Sequence, residues 1–245
     1  MSDTSTPGDG DTTEPSAGLP AAPAAAATIF GDQFEIAERF AGILADTGVS
    51  HGLVGPREVP RLWERHVLNC AVAHTAFPEG ATVIDVGSGA GLPGLALAVA
   101  RPDLHIDLVE PMLRRTTWLS TTIGELGLDN CTVHRGRAEE FQGRLRAPFA
   151  TARAVARIDR LARWTFPLLD DGGTLVALKG DRAVVELDEE RRALERLGMV
   201  SAAIRTYGTG LLEVPTVTME LTVGAGEAGH RGKAKAAQRA SRRRG

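Results

Sequence analysis

Apolar residues fall into two regimes along this chain. In the stretch from Ile29 to Phe77, Ile36, Phe40, Ile43 and Leu44 recur at the spacing of one helical face and predict a helix. Gly48, Gly52, Gly55 and Pro56 interrupt it. A second helix is expected from near Pro60, a residue suited to a first helical turn, through Leu62, His66, Asn69 and Ala73. Pro78-Glu79-Gly80 closes that segment. Beyond it, short β-branched runs at 82–86, 105–109, 131–134, 149–152 and 174–178 alternate with helical stretches at 92–100, 112–126, 138–141 and 158–169. Such alternation predicts βαβ units and a doubly wound, mostly parallel α/β sheet. A charged helix at 182–197 precedes two further runs, 200–207 and 216–223, with only a loop between them. They read as a hairpin that adds an antiparallel strand at the C-terminal end. The expected organisation is an N-terminal helical segment over 29–80 and an α/β core over 81–224.

Composition changes this picture mainly at the two ends. The chain has 245 residues, 43% hydrophobic and 24% charged, with a formal net charge of −3. These values exclude collagen-like, disulfide-dense and wholly disordered classes. Residues 1–28 carry −4 and residues 225–245 carry +6, leaving −5 for the rest. Both ends are poor in bulky apolar residues and are expected to be disordered arms, because they cannot offset the entropy of ordering. The basic tail suits either a polyanion or a purely solubilising role. Two cysteines, Cys70 and Cys131, form no CxxC or zinc pattern, so no metal is expected and a reducing compartment is the default. No apolar run approaches the roughly 20 residues of a membrane span. The polar, acidic start lacks the features of a secretory signal. A cytoplasmic monomer is expected.

The most informative segment follows the first predicted strand. It reads Asp85-Val86-Gly87-Ser88-Gly89-Ala90-Gly91-Leu92-Pro93-Gly94. Ligands of open α/β sheets sit beyond the carboxyl ends of the strands. Alternate glycines there let the backbone approach a nucleoside with no Cβ between. Gly89–Gly94 also fits GxGxxG, a weak dinucleotide signal on its own. Asp85 argues against it: it would repel a pyrophosphate, but it could meet the ammonium of an aminocarboxylate. Glu110, 23 residues after Gly87, ends the second strand, well placed to accept hydrogen bonds from ribose hydroxyls. Acid, alternate glycines and second acid suit S-adenosylmethionine (SAM), and with the alternation they point to a Rossmann-like class I SAM-dependent methyltransferase.

The acceptor is narrowed by what is missing. There is no Pro-Pro, hence no Asn/Asp-Pro-Pro-aromatic motif of amino-group methylation. Cys70 and Cys131 each follow an asparagine and read as small buried residues rather than nucleophiles. Guanine N7 fits what remains, since its lone pair is free and no proton leaves; positioning and electrostatics would carry the rate. Small-molecule acceptors stay open on these residues. So, further off, do an NAD(P)-binding oxidoreductase and a non-enzymatic RNA-binding protein.

The order of Arg65-His66-Val67-Leu68-Asn69, Asp85 through Gly94, Arg135–Phe141, Ala152-Arg153-Ala154 and Ala177-Leu178-Lys179-Gly180 resembles the ribosomal RNA small-subunit methyltransferase G family (glucose-inhibited division protein B) over about 30–223. The resemblance implies SAM as methyl donor and N7 of one guanine in 16S ribosomal RNA of the small subunit as acceptor. By position it implies SAM contacts at Gly87, Leu92, Ala138, Glu139 and Arg153, to which the reading above adds Asp85, Gly89 and Glu110. Ala150 departs from the family, whose members often have Asp there.

Several basic residues are candidates for RNA or catalysis. Arg114 and Arg115 open the helix after Glu110 and could grip phosphate, or simply form a solvated face. Arg153 leaves the fourth strand at its carboxyl end, and Lys179 holds the matching place after the fifth; both are candidates for a catalytic role, Lys179 also for RNA. His66 could face RNA or be a hydrogen-bonded structural histidine. Arg157, Arg160 and Arg163 read as one solvated helix face, and Trp63 and Trp118 as core.

Overall fold

A computed structural model describes residues 18–224. The chain opens with α1 (Ala24–Phe30) and α2 (Phe34–Ile43), the latter continued by a wider turn at Leu44–Gly48. Helix α1 begins inside the stretch expected to be a disordered arm. The reason is that Ala26 is fully buried and packs with Ile29 and Phe30 in the core. Residues 1–17 and the basic tail lie outside the described residues. Phe40 and Leu44 are fully buried, as their spacing requires.

The second helical stretch starts earlier than expected and is irregular. Turns of different pitch follow one another at Pro56–Arg61, Leu62–Leu68, α3 (Asn69–Ala71) and Val72–Ala76. Pro60 lies inside the first of them, where it lacks the N–H of a regular helix.

The α/β part follows in the expected order: β1 (Thr82–Val86), α4 (Gly94–Ala100), β2 (His105–Glu110), α5 (Leu113–Leu126), β3 (Cys131–Arg135), a single turn at Ala138–Phe141, β4 (Ala147–Arg153), α6 (Ile158–Thr165), β5 (Leu169–Lys179), α7 (Ala183–Arg196), β6 (Met199–Tyr207) and β7 (Thr216–Val223). The seven strands form one sheet in the order β3-β2-β1-β4-β5-β7-β6. β1 to β5 are parallel; β7 runs antiparallel to β5, and β6 antiparallel to β7. Strand β5 starts at Leu169 rather than Thr174. Gly173 permits this, since a Cβ there would sit 2.9 Å from the Pro148 carbonyl of the neighbouring strand.

The direction of winding reverses at β1, whose neighbours are β2 and β4, so a crevice opens beyond its carboxyl end. The N-terminal helices are no separate body. Phe40, Leu62 and Leu68 share one apolar cluster with Leu95, Leu97 and Leu104 of the α/β part. Trp63 and Trp118 belong to the same cluster, and Trp118 Nε1 donates to Thr47 Oγ1 at 3.0 Å. Among the described residues, no helix is long and apolar enough to cross a membrane.

Candidate functional site

Gly87, Gly89 and Gly91 all take positive φ, at 78°, 54° and 76°. That conformation is open to glycine and strained for other residues. It curls the chain back after β1, and Gly87 donates to the carbonyl of Val109 at 2.9 Å. The turn is fixed to the next strand by Glu110. One carboxylate oxygen accepts from Gly89 N at 3.1 Å, the other from Met112 N at 3.0 Å, and Arg115 lies 3.6 Å away. Glu110 is therefore buried, pre-oriented and still part of the cleft wall.

The cleft has a volume of about 670 Å³ at the switch point. It brings together Gly87, Gly89, Leu92, Glu110, Ala138, Glu139 and Arg153 of the residues expected from sequence. Asp85 stands apart from the lining: fully buried beneath the turn, it accepts from Gly94 N at 3.1 Å, while its other oxygen has no partner among the described residues. Burial pushes its carboxyl up to about 7, against the opposing effect of the Gly94 hydrogen bond. A Cβ at Gly94 would lie 2.3 Å from Leu108 and 2.6 Å from Asp85 Oδ2, so the carboxylate and the start of α4 touch because position 94 is glycine.

Arg153 is held from the N-terminal half. Its guanidinium donates to the carbonyls of Arg65 and His66 at 3.2 and 3.3 Å, to Cys70 Sγ at 3.0 Å, and to His66 Nδ1. His66 Nε2 in turn meets Glu58 Oε2 at 2.7 Å. An imidazole that accepts at Nδ1 and donates at Nε2 is neutral. Burial lowers the His66 pKa, the Glu58 hydrogen bond opposes this, and the charge of Arg153 adds to the lowering. Both His66 and Glu58 line the cleft.

The next residue, Ala154, has φ 54°, the one positive φ outside glycine among the described residues. A conformation of that kind costs on the order of 1–3 kcal/mol and tends to persist at functional sites. It turns Val155 over the glycine turn, so that a Cβ on Gly87 would lie 3.0 Å from a Val155 methyl.

The other basic candidates separate. Arg115 faces Glu110 in the cleft, whereas Arg114 is exposed outside its lining, beside a groove that Thr47 and His51 share. Lys179 donates to the Ala156 carbonyl at 3.3 Å and to Glu186 at 3.0 Å, and Glu186 also accepts from Ile158 N at 2.7 Å. Its ammonium therefore braces the loop after β4. Arg157 pairs with Glu189 and Glu190 rather than standing free in solvent.

Arg160 and Trp164 do line the cleft, the guanidinium 4.8 Å over the indole ring. Trp164, Glu58 and Val155 were not singled out from sequence. The i, i+4 spacing of Arg160 and Trp164 on one helix was the available signal for that pair. Both thiols are poor nucleophiles: burial raises the pKa of Cys70 and pushes Cys131 up to about 12. Ala150 is fully buried in β4, paired with Ile84 and Leu175 and away from the cleft lining.

Comparison with known proteins bears on the family and the fold. The family model for rRNA small subunit methyltransferase G matches residues 33–213. The chain belongs to the rRNA small subunit methyltransferase G family. A member from Streptomyces avermitilis is 52% identical over 223 residues, covering 91% of this chain and 94% of the relative. One from Thermobifida fusca is 52% identical over 199 residues, covering 81% and 84%. Among solved structures, M. jannaschii TYW2 in complex with AdoMet superposes with a TM-score of 0.52 at 17% identity, over 67% of this chain and 78% of that one. This likeness concerns the fold, which is that of the class I SAM-dependent methyltransferases, as expected from the sequence.

The lining fits SAM on its own terms. The cleft has glycine backbone for close approach and a buried carboxylate at Glu110 for hydroxyl donors; outside the lining, beneath the turn, Asp85 keeps one oxygen without a hydrogen-bond partner among the described residues.

Proposed function

We propose that this chain transfers the methyl group of SAM to N7 of a guanine in 16S ribosomal RNA of the small subunit. The observation that carries the reading is the positive-φ glycine turn locked to Glu110 at the sheet's switch point, in a chain of the rRNA small subunit methyltransferase G family. Bound SAM supplies an electrophilic methyl group on a sulfonium. Gly87, Gly89 and Leu92 form the floor of its site, and Glu110 accepts hydrogen bonds from the ribose. Ala138 and Glu139 border the adenine. Arg153 is the cation for the carboxylate, and Asp85 is the negative charge beneath the ammonium.

The two catalytic candidates support an acceptor that loses no proton. Neither catalytic candidate can take a proton. Arg153 is permanently charged, and the Lys179 ammonium is ion-paired with Glu186. Guanine N7 is nucleophilic without losing a proton, so orientation and exclusion of water suffice. His66, Arg114, Arg115 and Lys179 remain the candidates on the RNA side, with the basic residues of 225–245. The enzyme works as a monomer in the cytoplasm and needs no metal.

The test is to incubate the protein with methyl-labelled SAM and rRNA from cells lacking this gene, both as free RNA and as small subunits. Borohydride reduction and aniline cleavage then locate 7-methylguanine. Label at a single guanine is expected. No label on either RNA, with SAM binding intact, overturns the reading in favour of a small-molecule acceptor.

A further inference from the structure

A second cavity, of about 350 Å³, lies beside the cofactor cleft, with Arg153, Ala154 and Val155 as the wall common to both. It sits at the carboxyl ends of β4 and β5, and Arg65, Asn69, Lys179 and Gly180 contribute to its rim and floor. The Lys179 ammonium is engaged by Glu186 and the Ala156 carbonyl, so it is not the free polar group here.

Asn69 is different, because its amide is held in one orientation. The Thr216 hydroxyl gives its proton to the Asn69 backbone carbonyl at 2.7 Å. Its lone pair must then accept, and it does so from Asn69 Nδ2 at 2.8 Å. Thr216 is buried, so this reciprocal pair is shielded from water. The side-chain nitrogen is thereby committed, and Oδ1 is left as an acceptor with no protein partner among the described residues.

We infer that this second cavity receives the acceptor base, and that Asn69 Oδ1, fixed by Thr216, selects guanine by accepting from its N1–H and 2-amino edge. The assignment rests on the proposed rRNA methylation and specifies how the acceptor is recognised. Guanine presents donors on that edge, whereas adenine presents an acceptor at N1 that would face the Asn69 oxygen unfavourably. The base reaches such a cavity only when drawn out of its stack. Arg65, whose side chain is 60% exposed at the rim, is the cation for the adjoining phosphate. Reading the Watson–Crick edge in this cavity leaves N7, on the other side of the ring, directed past Arg153–Val155 to where this cavity adjoins the cofactor cleft.

Three variants test the assignment: Asn69→Ala removes the acceptor, Asn69→Asp keeps one, and Gly180→Leu narrows the cavity at a position where an added Cβ meets nothing within 4 Å. Each is measured for SAM affinity by calorimetry and for kcat/KM on small subunits or rRNA, whichever the wild type methylates. SAM affinity is expected to stay at the wild-type value in all three. For Asn69→Ala, kcat/KM is expected to fall by about tenfold or more, the scale of one base-edge contact, and likewise for Gly180→Leu. Asn69→Asp, which keeps an acceptor but loses the hydrogen bond to Thr216, is expected to fall by less than Asn69→Ala. Wild-type kcat/KM in Asn69→Ala, or an equal loss in Asn69→Asp, overturns the assignment. So does loss of SAM affinity in Asn69→Ala, which would make Asn69 a support of the cofactor site. A wild-type protein that binds SAM and labels no rRNA removes the functional reading itself, and this assignment with it.

Discussion

His66 Nδ1 accepts a hydrogen bond from the Arg153 guanidinium, which ties the charge state of a histidine in the N-terminal helices to the placement of an arginine at the end of β4. Glu58 and Arg65 face the same imidazole and its partner, with Glu58 at 2.7 Å from His66 and Arg65 at 3.6 Å from Glu58. A protonated His66 would point an N–H at a cation.

Acid should therefore disorder Arg153 before it unfolds the protein. The folded-state pKa of His66 lies below its ordinary value of 6.5, so the contribution of the neutral form is complete above that value and is lost as pH falls through the folded pKa. SAM affinity of the wild type should weaken as pH falls below the ordinary histidine value of 6.5, and the acid limb should shrink in His66→Gln, which keeps an acceptor and a donor without titrating. Calorimetric titrations across the range decide it. An unchanged limb in the variant would assign it to other groups, of which Asp85 beneath the turn, its carboxyl pushed up to about 7, is the first.

Gly87→Asp should abolish SAM binding. The φ of 78° disfavours any side chain, and Val155 lies 3.0 Å from where the Cβ would be. The added carboxylate would also enter the cleft. Asp85→Ala should abolish binding too, by removing the negative charge beneath the turn. Normal affinity in both variants by calorimetry would contradict the cofactor assignment.

Gly94→Ala should be destabilising although alanine favours helix. Its Cβ would lie 2.3 Å from Leu108 and 2.6 Å from Asp85 Oδ2, both wholly buried, so neither can move aside freely. Overpacking of this kind costs about 1–3 kcal/mol, which a urea unfolding midpoint would register.

Asp85→Asn should remove one pH dependence of stability. With a folded-state pKa of about 7 against 3.8 for the free group, the unfolded chain releases its proton first. Asp85 therefore lowers stability as pH rises between those values, by on the order of 4 kcal/mol once both states are ionised. Asparagine does not ionise, so the variant should gain on the wild type between about pH 4 and about pH 7 in paired unfolding curves. No relative gain would mean that Asp85 is already neutralised by a partner.

The strands and the glycine turn were readable because each is written in local sequence: β-branched runs at one period, and glycines where φ turns positive. Glu110 was readable for the same reason, as the last residue of a strand. Lys179, expected just after the fifth strand, is instead the last residue of β5, and its partner Glu186 meets it only once α7 folds back. Glu58 and His66 lie far from Arg153 in sequence, and no periodicity links them to it. Asp85 looked like a lining residue, yet β1 is covered on both faces and the side chain turns under α4. Trp164 escaped notice because its neighbours suggested only a solvated helix face.

The cofactor cleft takes one wall, with His66 and Glu58, from a segment that precedes the α/β sheet altogether. A ligand that grips Arg153 is thereby linked to the order of residues 56–76. At a hundredfold excess over Kd such a ligand adds about 2.7 kcal/mol to the folded state, and part of that should appear as slowed amide exchange in those helical turns. Excising the N-terminal helices to obtain a minimal catalytic module would then yield a protein that has lost its small ligand, not one that has merely lost its grip on RNA.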